Sequence, residues 1–313
     1  DLLVVATGCR IAPEATEGLV DRGWRESAFD FYSADGAVAL ARALDAFQQG
    51  RIVINMVEMP IKCPVAPLEF AFLADAWFTT RGIRDRVEIT FATPLDGAFT
   101  KPTASAMLGG LLDERRIAVE PNFALEKVDG VRRTLSAYDG RSIGYDLLVS
   151  IPLHRGSAAI ERSGLGDATG FLPTDPRSLR AKGFDDIFAL GDATDVPTSK
   201  AGSVAHFQSE VLTENVLRAT RGQSPLPDYD GHANCFIETG YGKALLIDFN
   251  YDTEPLPGRY PLPGVGPFTL LEESHMNHWG KLAFRWAYWN VLARGKDLPI
   301  DHRMLMAGKR VVA

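Results

Sequence analysis

The sequence has few cysteines, no long apolar run and no excess of positive charge, and each absence excludes a class of protein. Three cysteines in 313 residues are too few for a framework of structural disulfides, and their odd number leaves at least one thiol over. Lysine and arginine total 33 against 40 acidic residues, which argues against a protein that binds nucleic acid through its phosphates. No apolar run approaches the roughly 18 residues of a membrane-spanning helix.

What is present indicates a folded protein. Hydrophobic residues make up 46% and charged residues 23% of the chain, which is typical of globular proteins rather than disordered ones. At about 150 residues per domain, a chain of 313 residues is expected to form about two domains.

The first residues, 1–8, predict a buried strand that runs into a glycine turn. A central strand at position 1 has no preceding element to pair with, so we expect that an N-terminal segment is missing and that the first domain is incomplete. Residues 1–5 (DLLVV) return as 146–150 (DLLVS), which favours a duplicated nucleotide-binding architecture. A chance similarity between two strands rich in leucine and valine is the alternative.

Alternating helices and strands between the two copies predict a parallel α/β sheet followed by a β-meander. Strands are predicted at 51–57, 86–92 and 186–190, and helices at 37–49, 68–80, 103–116 and 202–220. Short strands are predicted at 117, 123–128 and 131–138, with Asp-Gly turns at 129 and 139. A hairpin at 235–249 and an aromatic helix at 274–292 are predicted to follow.

One strand end has the pattern of a flavin site. The apolar segment 187–190 ends in Gly191-Asp192, and a helix beginning near Ala201-Gly202 follows after a short loop. The carboxylate of Asp192 can accept hydrogen bonds from ribityl hydroxyls, and a helix N-terminus offers positive potential to the pyrimidine edge of a flavin. A surface Gly-Asp turn is the alternative.

Segments 4–8 (VVATG) and 186–192 (DIFALGD) resemble two flavin motifs of the flavoproteins with two dinucleotide-binding domains. That resemblance implies FAD, held by Thr7, Gly8, Gly191, Asp192, Lys200, Ala201 and Gly202. A solvent-exposed Lys200 is the alternative to one that contacts the flavin or a quinone. The family's N-terminal G-x-G-x-x-G is absent, in agreement with a missing segment. Its NAD-binding G-x-G-x-x-G is also absent, because bulky residues and prolines occupy 55–69, which disfavours a nicotinamide substrate.

Cys63 with Pro64 and Glu69, and Asn234-Cys235-Phe236 after the long helix, resemble the sulfide:quinone oxidoreductases and the flavocytochrome sulfide dehydrogenases. The C-terminal segments 231–235 and 278–284 resemble one subgroup of the sulfide:quinone enzymes. The resemblance implies a redox pair of Cys63 and Cys235, with two buried thiols as the alternative. Relatives with a third cysteine carry it where this chain has Phe31-Tyr32-Ser33.

Thiol chemistry assigns the remaining roles. Cys63 precedes a helix N-terminus, which stabilises its thiolate, and Glu69 on the first turn of that helix is placed to move protons to or from the sulfur. An ordinary carboxylate at a helix start is the alternative for Glu69. Cys9 is interpreted as a spectator and His206 as a packing residue. No metal site is expected.

The segment 274–292 carries five aromatic residues among basic ones, a pattern that suits a helix lying in the membrane interface. The resemblance implies that Phe236, Lys281 and Phe284 bind a quinone there, with help from Tyr241. A core or dimer helix is the alternative, since aromatic stripes usually pack inside proteins.

Together these features predict an α/β protein with tandem Rossmann-like domains. Residues 1–22 and 157–230 are assigned to the FAD-binding domain, 23–156 to a second domain with a degenerate NAD site, and 231–313 to a quinone and membrane region. The predicted function is oxidation of sulfide to persulfide or polysulfide sulfur by a peripheral membrane flavoenzyme. The alternatives are a type II NADH dehydrogenase, a flavocytochrome sulfide dehydrogenase subunit and an inactive fragment without FAD. A homo-oligomer remains open.

Overall fold

The computed structural model describes residues 1–262, 266–296 and 300–311. Contacts divide the chain into two compact units. The first unit comprises residues 1–10, 62–64 and 155–313, and the second comprises 11–61 and 65–154. The aromatic helix and the hairpin before it therefore group with the first unit, while the division predicted at residues 22, 156 and 230 stays a prediction.

Helices and strands alternate as the sequence predicts. The helices are α1 (Ala34–Ala46), α2 (Ala66–Thr80), α3 (Pro102–Glu114), α4 (Ala158–Ser163), α5 (Gly202–Thr220) and α6 (His275–Asn290). The strands are β1 (Leu3–Val5), β2 (Cys9–Ile11), β3 (Ala28–Phe29), β4 (Gly50–Met56), β5 (Val87–Ala92), β6 (Ile117–Glu120), β7 (Leu125–Asp129), β8 (Thr134–Ala137), β9 (Ser142–Gly144), β10 (Leu147–Ile151), β11 (His154–Gly156), β12 (Ile187–Ala189), β13 (Ala233–Gly240), β14 (Lys243–Phe249), β15 (Gly258–Tyr260) and β16 (Phe268–Leu270).

Helix α1 begins three residues before the predicted start. The hydroxyl of Ser33 accepts a hydrogen bond from the backbone N–H of Gly36 and so caps the helix. The buried carboxylate of Asp30 fixes Ser33 in turn, because it accepts hydrogen bonds from both the backbone N–H and the hydroxyl of that residue. The capping signal was Ser33, which the apolar periodicity alone does not reveal.

The second unit is built on a five-stranded sheet with the order β3-β10-β4-β5-β6, in which neighbouring strands pair in parallel. Ile52, Val53 and Ile54 in β4 are fully buried, as expected for a parallel strand covered on both faces. The antiparallel sheet β7-β8-β9 confirms the meander for two of its strands, but its third strand, β9, was not predicted, and the strand predicted at 117 pairs in parallel with β5 instead.

The first unit contains the parallel pair β1 and β12, in which Val5 lies beside Ala189. The prediction of a buried N-terminal strand is wrong for most of its length, because Leu3 and Val4 are 48% and 43% exposed while Val5 is buried. Among the described residues β12 is the one strand that pairs with β1, so the small cluster around Val5 covers only part of its apolar surface.

The C-terminal part of the first unit consists of the hairpin β13–β14, the short hairpin β15–β16 and helix α6. Cys235 lies opposite Ile247 in the first hairpin. The hydroxyl of Ser274 caps α6, and the buried side chain of Asn277 bonds to Thr269, which fixes the helix against β16. In the described residues, no helix is long and apolar enough to cross a membrane.

Candidate active site

The N-terminus of helix α5 is the centre of the candidate site. The helix begins at Gly202, and its preceding residue, Ala201, has no side chain that can cap the first turn. A side chain added at Gly202 would meet open space, so the backbone there is accessible to a ligand. Exposed amide groups and the positive end of the helix dipole make this a place that favours negative charge.

The turn after β12 is tied to the same helix. Gly191 adopts a φ of 67°, a left-handed conformation that favours glycine. Its backbone N–H donates a hydrogen bond of 2.6 Å to the side chain of Gln208 in α5. Burial raises the pKa of the adjacent Asp192, while Lys200 and Lys62 act in the opposite direction. The carboxylate predicted to bind ribityl hydroxyls is therefore partly desolvated before any ligand arrives.

Lys200 is buried, so the alternative of a solvent-exposed lysine is wrong. Its ammonium donates hydrogen bonds to the backbone oxygens of Asp192, at 3.1 Å, and Thr194, at 2.7 Å. The same nitrogen lies 4.0 Å from the ring centroid of Phe171. Burial lowers the pKa of Lys200, and nearby Cys9 and Asp192 oppose that shift. Two of its three N–H groups are thus already engaged in holding the turn.

Cys63 is attached to this site through its backbone. Its N–H donates a hydrogen bond of 2.7 Å to the carbonyl oxygen of Lys200. Residues 62 and 200 pair as in a parallel β-sheet, although neither belongs to a strand. The residue adopts a φ of 47°, which is uncommon for any residue other than glycine. The thiol is half-buried. Helix α2 begins at Ala66, so Cys63 precedes a helix N-terminus as predicted.

Cys235 reaches the same end of α5 from the hairpin. The hydroxyl of Ser203, in the first turn of α5, donates a hydrogen bond of 2.8 Å to the backbone oxygen of Asn234. Cys235 is the next residue and is also half-buried. Neither Cys63 nor Cys235 is in a disulfide in this structure. Two cysteines that are far apart in sequence are therefore each held within a few residues of one helix start.

The remaining cysteine behaves differently. Burial, together with the negative charge of Asp192, raises the pKa of Cys9 to about 11 against the opposing effect of Lys200 and Lys62. The Cys9 thiol is thus protonated at neutral pH and a poor nucleophile, which supports its interpretation as a spectator.

Thr7 and Gly8 lie at the end of β1. The hydroxyl of Thr7 accepts a hydrogen bond of 2.8 Å from Ser157, at the start of α4. Gly8 has a φ of 65° and open space where a side chain would project. The open backbone at Gly8 and Gly202, together with Asp192, is compatible with a bound flavin.

Glu69 lies on the first turn of α2 and is half-buried. The position agrees with the sequence analysis. Its transfer of protons to or from Cys63 stays a prediction.

The predicted quinone residues lie on the hairpin and on α6. The ring of Phe236 in β13 packs edge-to-face on Phe268, with 5.4 Å between centroids. Lys281 is half-buried and Phe284 is exposed on α6. A carboxylate and an imidazole join the two elements, because Nδ1 of His278 lies 2.9 Å from Glu238. Lys281 follows His278 by one helical turn.

Helix α6 presents its aromatic residues to the outside. Trp279 and Trp286 are each 67% exposed, and Trp289 is 62% exposed. The alternative of a core helix is therefore wrong. A large exposed apolar face marks an interaction surface.

Sequence reasoning missed a buried charged cluster beside Cys235. Nε2 of His232 lies 2.7 Å from Asp248, whose other oxygen lies 2.5 Å from the ammonium of Lys309. The imidazole stacks on Phe207 of α5 at 4.2 Å between centroids. The signal was present in the segment 231–235, where a histidine stands three residues before the cysteine, but its partners lie on distant elements.

The architecture defines a broad class, the mixed α/β proteins that resemble Rossmann-type flavoproteins. The crystal structure of the sulfide:quinone oxidoreductase from Aquifex aeolicus matches with a TM-score of 0.73 over 95% of this chain and 70% of that chain, at 18% sequence identity. At that identity the match establishes the fold. No family model matches the chain.

Two curated sequences that resemble this chain come from one particular family. The mitochondrial sulfide:quinone oxidoreductase of Mus musculus is 27% identical over 300 residues, and that of Dictyostelium discoideum is 28% identical over 304 residues. The alignments cover 94% and 95% of this chain, and each spans 65% of the longer protein. The resemblance to sulfide:quinone oxidoreductases is thereby confirmed over nearly the whole chain.

Proposed function

We propose that this chain carries out the FAD-dependent oxidation of sulfide through Cys63 and Cys235 and passes the electrons to a membrane quinone. The observation that carries the proposal is the convergence on α5. The backbone of Cys63 bonds to Lys200, and the residue before Cys235 bonds to Ser203. Two thiols held at one helix start, in a chain similar to sulfide:quinone oxidoreductases, fit a thiol relay.

The relay starts from the disulfide form of the pair. Hydrosulfide attacks one sulfur, a new sulfur–sulfur bond forms, and the bond between the two cysteines breaks. One cysteine then carries a persulfide and the other leaves as a thiolate. The helix N-terminus after Cys63 favours the anionic form of that residue, so we assign the released thiolate to Cys63 and the persulfide to Cys235. Glu69 is proposed to take up or return the accompanying proton.

FAD, when bound, supplies the two-electron acceptor that lets the thiolate and the persulfide be joined again through the added sulfur, and it passes those two electrons to the quinone. We propose that Gly191 and Asp192 hold its ribityl chain, while Ala201 and Gly202 at the start of α5 receive the pyrimidine edge. Lys200 fixes the turn between them and keeps positive charge in the site. Thr7 and Gly8 contribute at the end of β1, in the first of two tandem Rossmann-like domains.

We assign the electron acceptor to the region around α6. The exposed tryptophans of this helix suit insertion into the headgroup layer, where quinones are accessible, and the protein would then be peripheral to the membrane. Phe236, Lys281 and Phe284 are proposed to contact the quinone ring. The half-buried ammonium of Lys281 is suited to a carbonyl oxygen, and the phenyl rings are suited to its apolar faces.

An anaerobic titration of the purified holoenzyme tests the proposal. Sulfide is added to one sample and NADH to another while the absorption band of the oxidised flavin is followed. We expect sulfide alone to bleach the band, because residues 55–69 lack the glycines that let a dinucleotide approach the backbone.

Cys63→Ser and Cys235→Ser are each expected to slow the bleaching by at least about 1000-fold, since each removes a group that forms or leaves the reacting bond. Cys9→Ser is the matched control and is expected to bleach at the parent rate. Bleaching of the parent by NADH instead of sulfide would contradict the proposal.

A further inference from the structure

Four titratable side chains of the first unit follow one another at distances of 2.9–3.3 Å outside the thiol site. Nε2 of His206 lies 3.3 Å from one oxygen of Glu210, and the other oxygen of Glu210 lies 3.3 Å from Nδ1 of His302. Nε2 of His302 lies 2.9 Å from Asp228. Both oxygens of the glutamate and both nitrogens of the second histidine thus face different neighbours, so each group can take a proton on one side and release it on the other.

The series follows one face of α5. Gly202, His206 and Glu210 are four residues apart and therefore share a face of the helix. It begins one turn from the helix N-terminus, where the flavin is proposed to bind. It ends at Asp228, and the exposed fraction of the side chains rises from 16% at His206 to 30% there. The ion pair of Asp228 with Arg303, whose side chain is 59% exposed, marks the surface end.

The side chains of the series border a cavity that can hold water, so they are not enclosed as a dry ion pair. His206, Glu210, Asp228 and His302 all border a cavity of 660 Å³, which is large enough for several waters. Nε2 of His206 and Oε1 of Glu210 are buried, yet within the described ranges neither makes a hydrogen bond of acceptable geometry. Leaving such atoms unsatisfied costs about 1–3 kcal/mol each, which argues against a purely structural contact.

Other charged groups surround the series on every element that packs against it. Glu214, one turn further along α5, and Lys296, after α6, line the same cavity. Asp301 lies 3.6 Å from Nδ1 of His302, on the far side from Asp228. The cavity is therefore lined by charges of both signs, with the carboxylate of Glu214 and the ammonium of Lys296 beside the series.

We propose that the series from His206 to Asp228 conducts protons between solvent and the start of α5. The inference rests on the proposed function, because the reduction of a quinone by hydrosulfide takes up a proton from water. Oxidation of one hydrosulfide releases two electrons and one proton once the persulfide and the thiolate have been joined again through the added sulfur atom. Reduction of a quinone to a quinol consumes two electrons and two protons. One proton per turnover must therefore come from water, and Asp228, His302, Glu210 and His206 deliver it in that order.

The test separates the two half-reactions of the purified holoenzyme by stopped flow. Sulfide bleaches the flavin in the first, and a soluble quinone analogue restores it in the second while a pH-sensitive dye records proton uptake. In Glu210→Gln and His302→Gln we expect the second half-reaction and the proton uptake to slow by at least about tenfold. Bleaching by sulfide is expected to stay within about twofold of the parent. Glu214→Gln, a carboxylate of the same cavity outside the series, is the matched control.

Two further measurements distinguish conduction from support of the fold. Added imidazole is expected to restore the second half-reaction of His302→Gln, because the cavity has room for it. NMR of the holoenzyme is expected to show that Glu210→Gln shifts the imidazole signals of both His206 and His302, which Glu210 contacts, while Glu214→Gln shifts neither.

Normal quinone reduction and proton uptake in both variants would overturn the proton path and leave the proposed function standing. Equal slowing of both half-reactions without rescue by imidazole would also overturn it, in favour of a structural role. If sulfide fails to bleach the parent protein, the proposed function is wrong, and the proton path is overturned with it.

Discussion

One buried charged site in each unit shows two different ways of burying a charge. In the second unit the guanidinium of Arg84 lies 2.7 Å from Asp75 and donates to the backbone oxygens of Val87, Arg115 and Arg116, so its N–H groups are matched by acceptors. In the first unit burial raises the pKa of Asp192 and lowers that of Lys200, so each charged form is disfavoured there. Matched charges hold a framework together, whereas mismatched ones are suited to respond to a ligand or a proton.

The largest expected effect is at the matched pair. Replacing Arg84 with Met leaves Asp75 buried without its main partner, and we expect the free energy of unfolding to fall by about 3–5 kcal/mol. Urea unfolding measures the change. Arg51→Met is the control, because the Arg51–Glu88 pair is largely exposed and should be worth less than about 1 kcal/mol.

A loss of stability in Arg84→Met no larger than that in the control would break the comparison between the units. The double variant with Asp75→Leu separates the cost of the unpaired carboxylate from the worth of the pair. We expect it to recover much of the lost stability, since the buried carboxylate that lost Arg84 is then removed as well.

Cys9, in the first unit, gives a second test of how burial disfavours a charged form. Its pKa is raised from the ordinary value of 9.0 to about 11, so the thiolate fraction at pH 8 is about 100-fold lower than in the unfolded chain. Alkylation followed by mass spectrometry should show a rate for Cys9 that rises about tenfold per pH unit up to about pH 11. In urea the same peptide should level off near pH 9, and a folded profile that levels off there too would contradict the assignment.

The smallest expected effect concerns exposed tryptophans, one on a helix of each unit. Trp286→Ala on α6 is expected to weaken binding to phospholipid vesicles by about tenfold, because one large apolar side chain no longer enters the interface. Co-sedimentation measures the binding. Trp77→Ala is the matched control, since Trp77 is also exposed, at 45%, but lies on α2 in the second unit. Equal losses in the two variants would mean that α6 has no special role.

The helices, the strands and part of the candidate site were predictable from the sequence, because the signals for them lie in neighbouring residues. Helix α5 and strand β5 follow from local periodicity, and Gly191-Asp192 is visible as a turn after an apolar run. The resemblance to known motifs added Cys63 and Cys235. Each of these signals occupies a short stretch of the chain.

The rest depends on contacts between distant residues, which spacing does not encode. The burial of Lys200 results from the backbone oxygens of Asp192 and Thr194 and from the ring of Phe171. The pairing of His232 with Asp248 requires the hairpin register. The exposure of Leu3 and Val4 likewise depends on what packs on β1, whereas their apolar character alone predicts burial.

The conformation of Cys63 has a consequence for how this sequence changes with time. Its left-handed backbone is held by the hydrogen bond to Lys200 and costs on the order of 1–3 kcal/mol for a residue with a side chain. Glycine would adopt the same angles without strain. Selection for stability alone would favour glycine at position 63, so a cysteine is expected to be kept there only if its sulfur is used. A lineage that abandons the thiol should be recognisable by glycine at this one position.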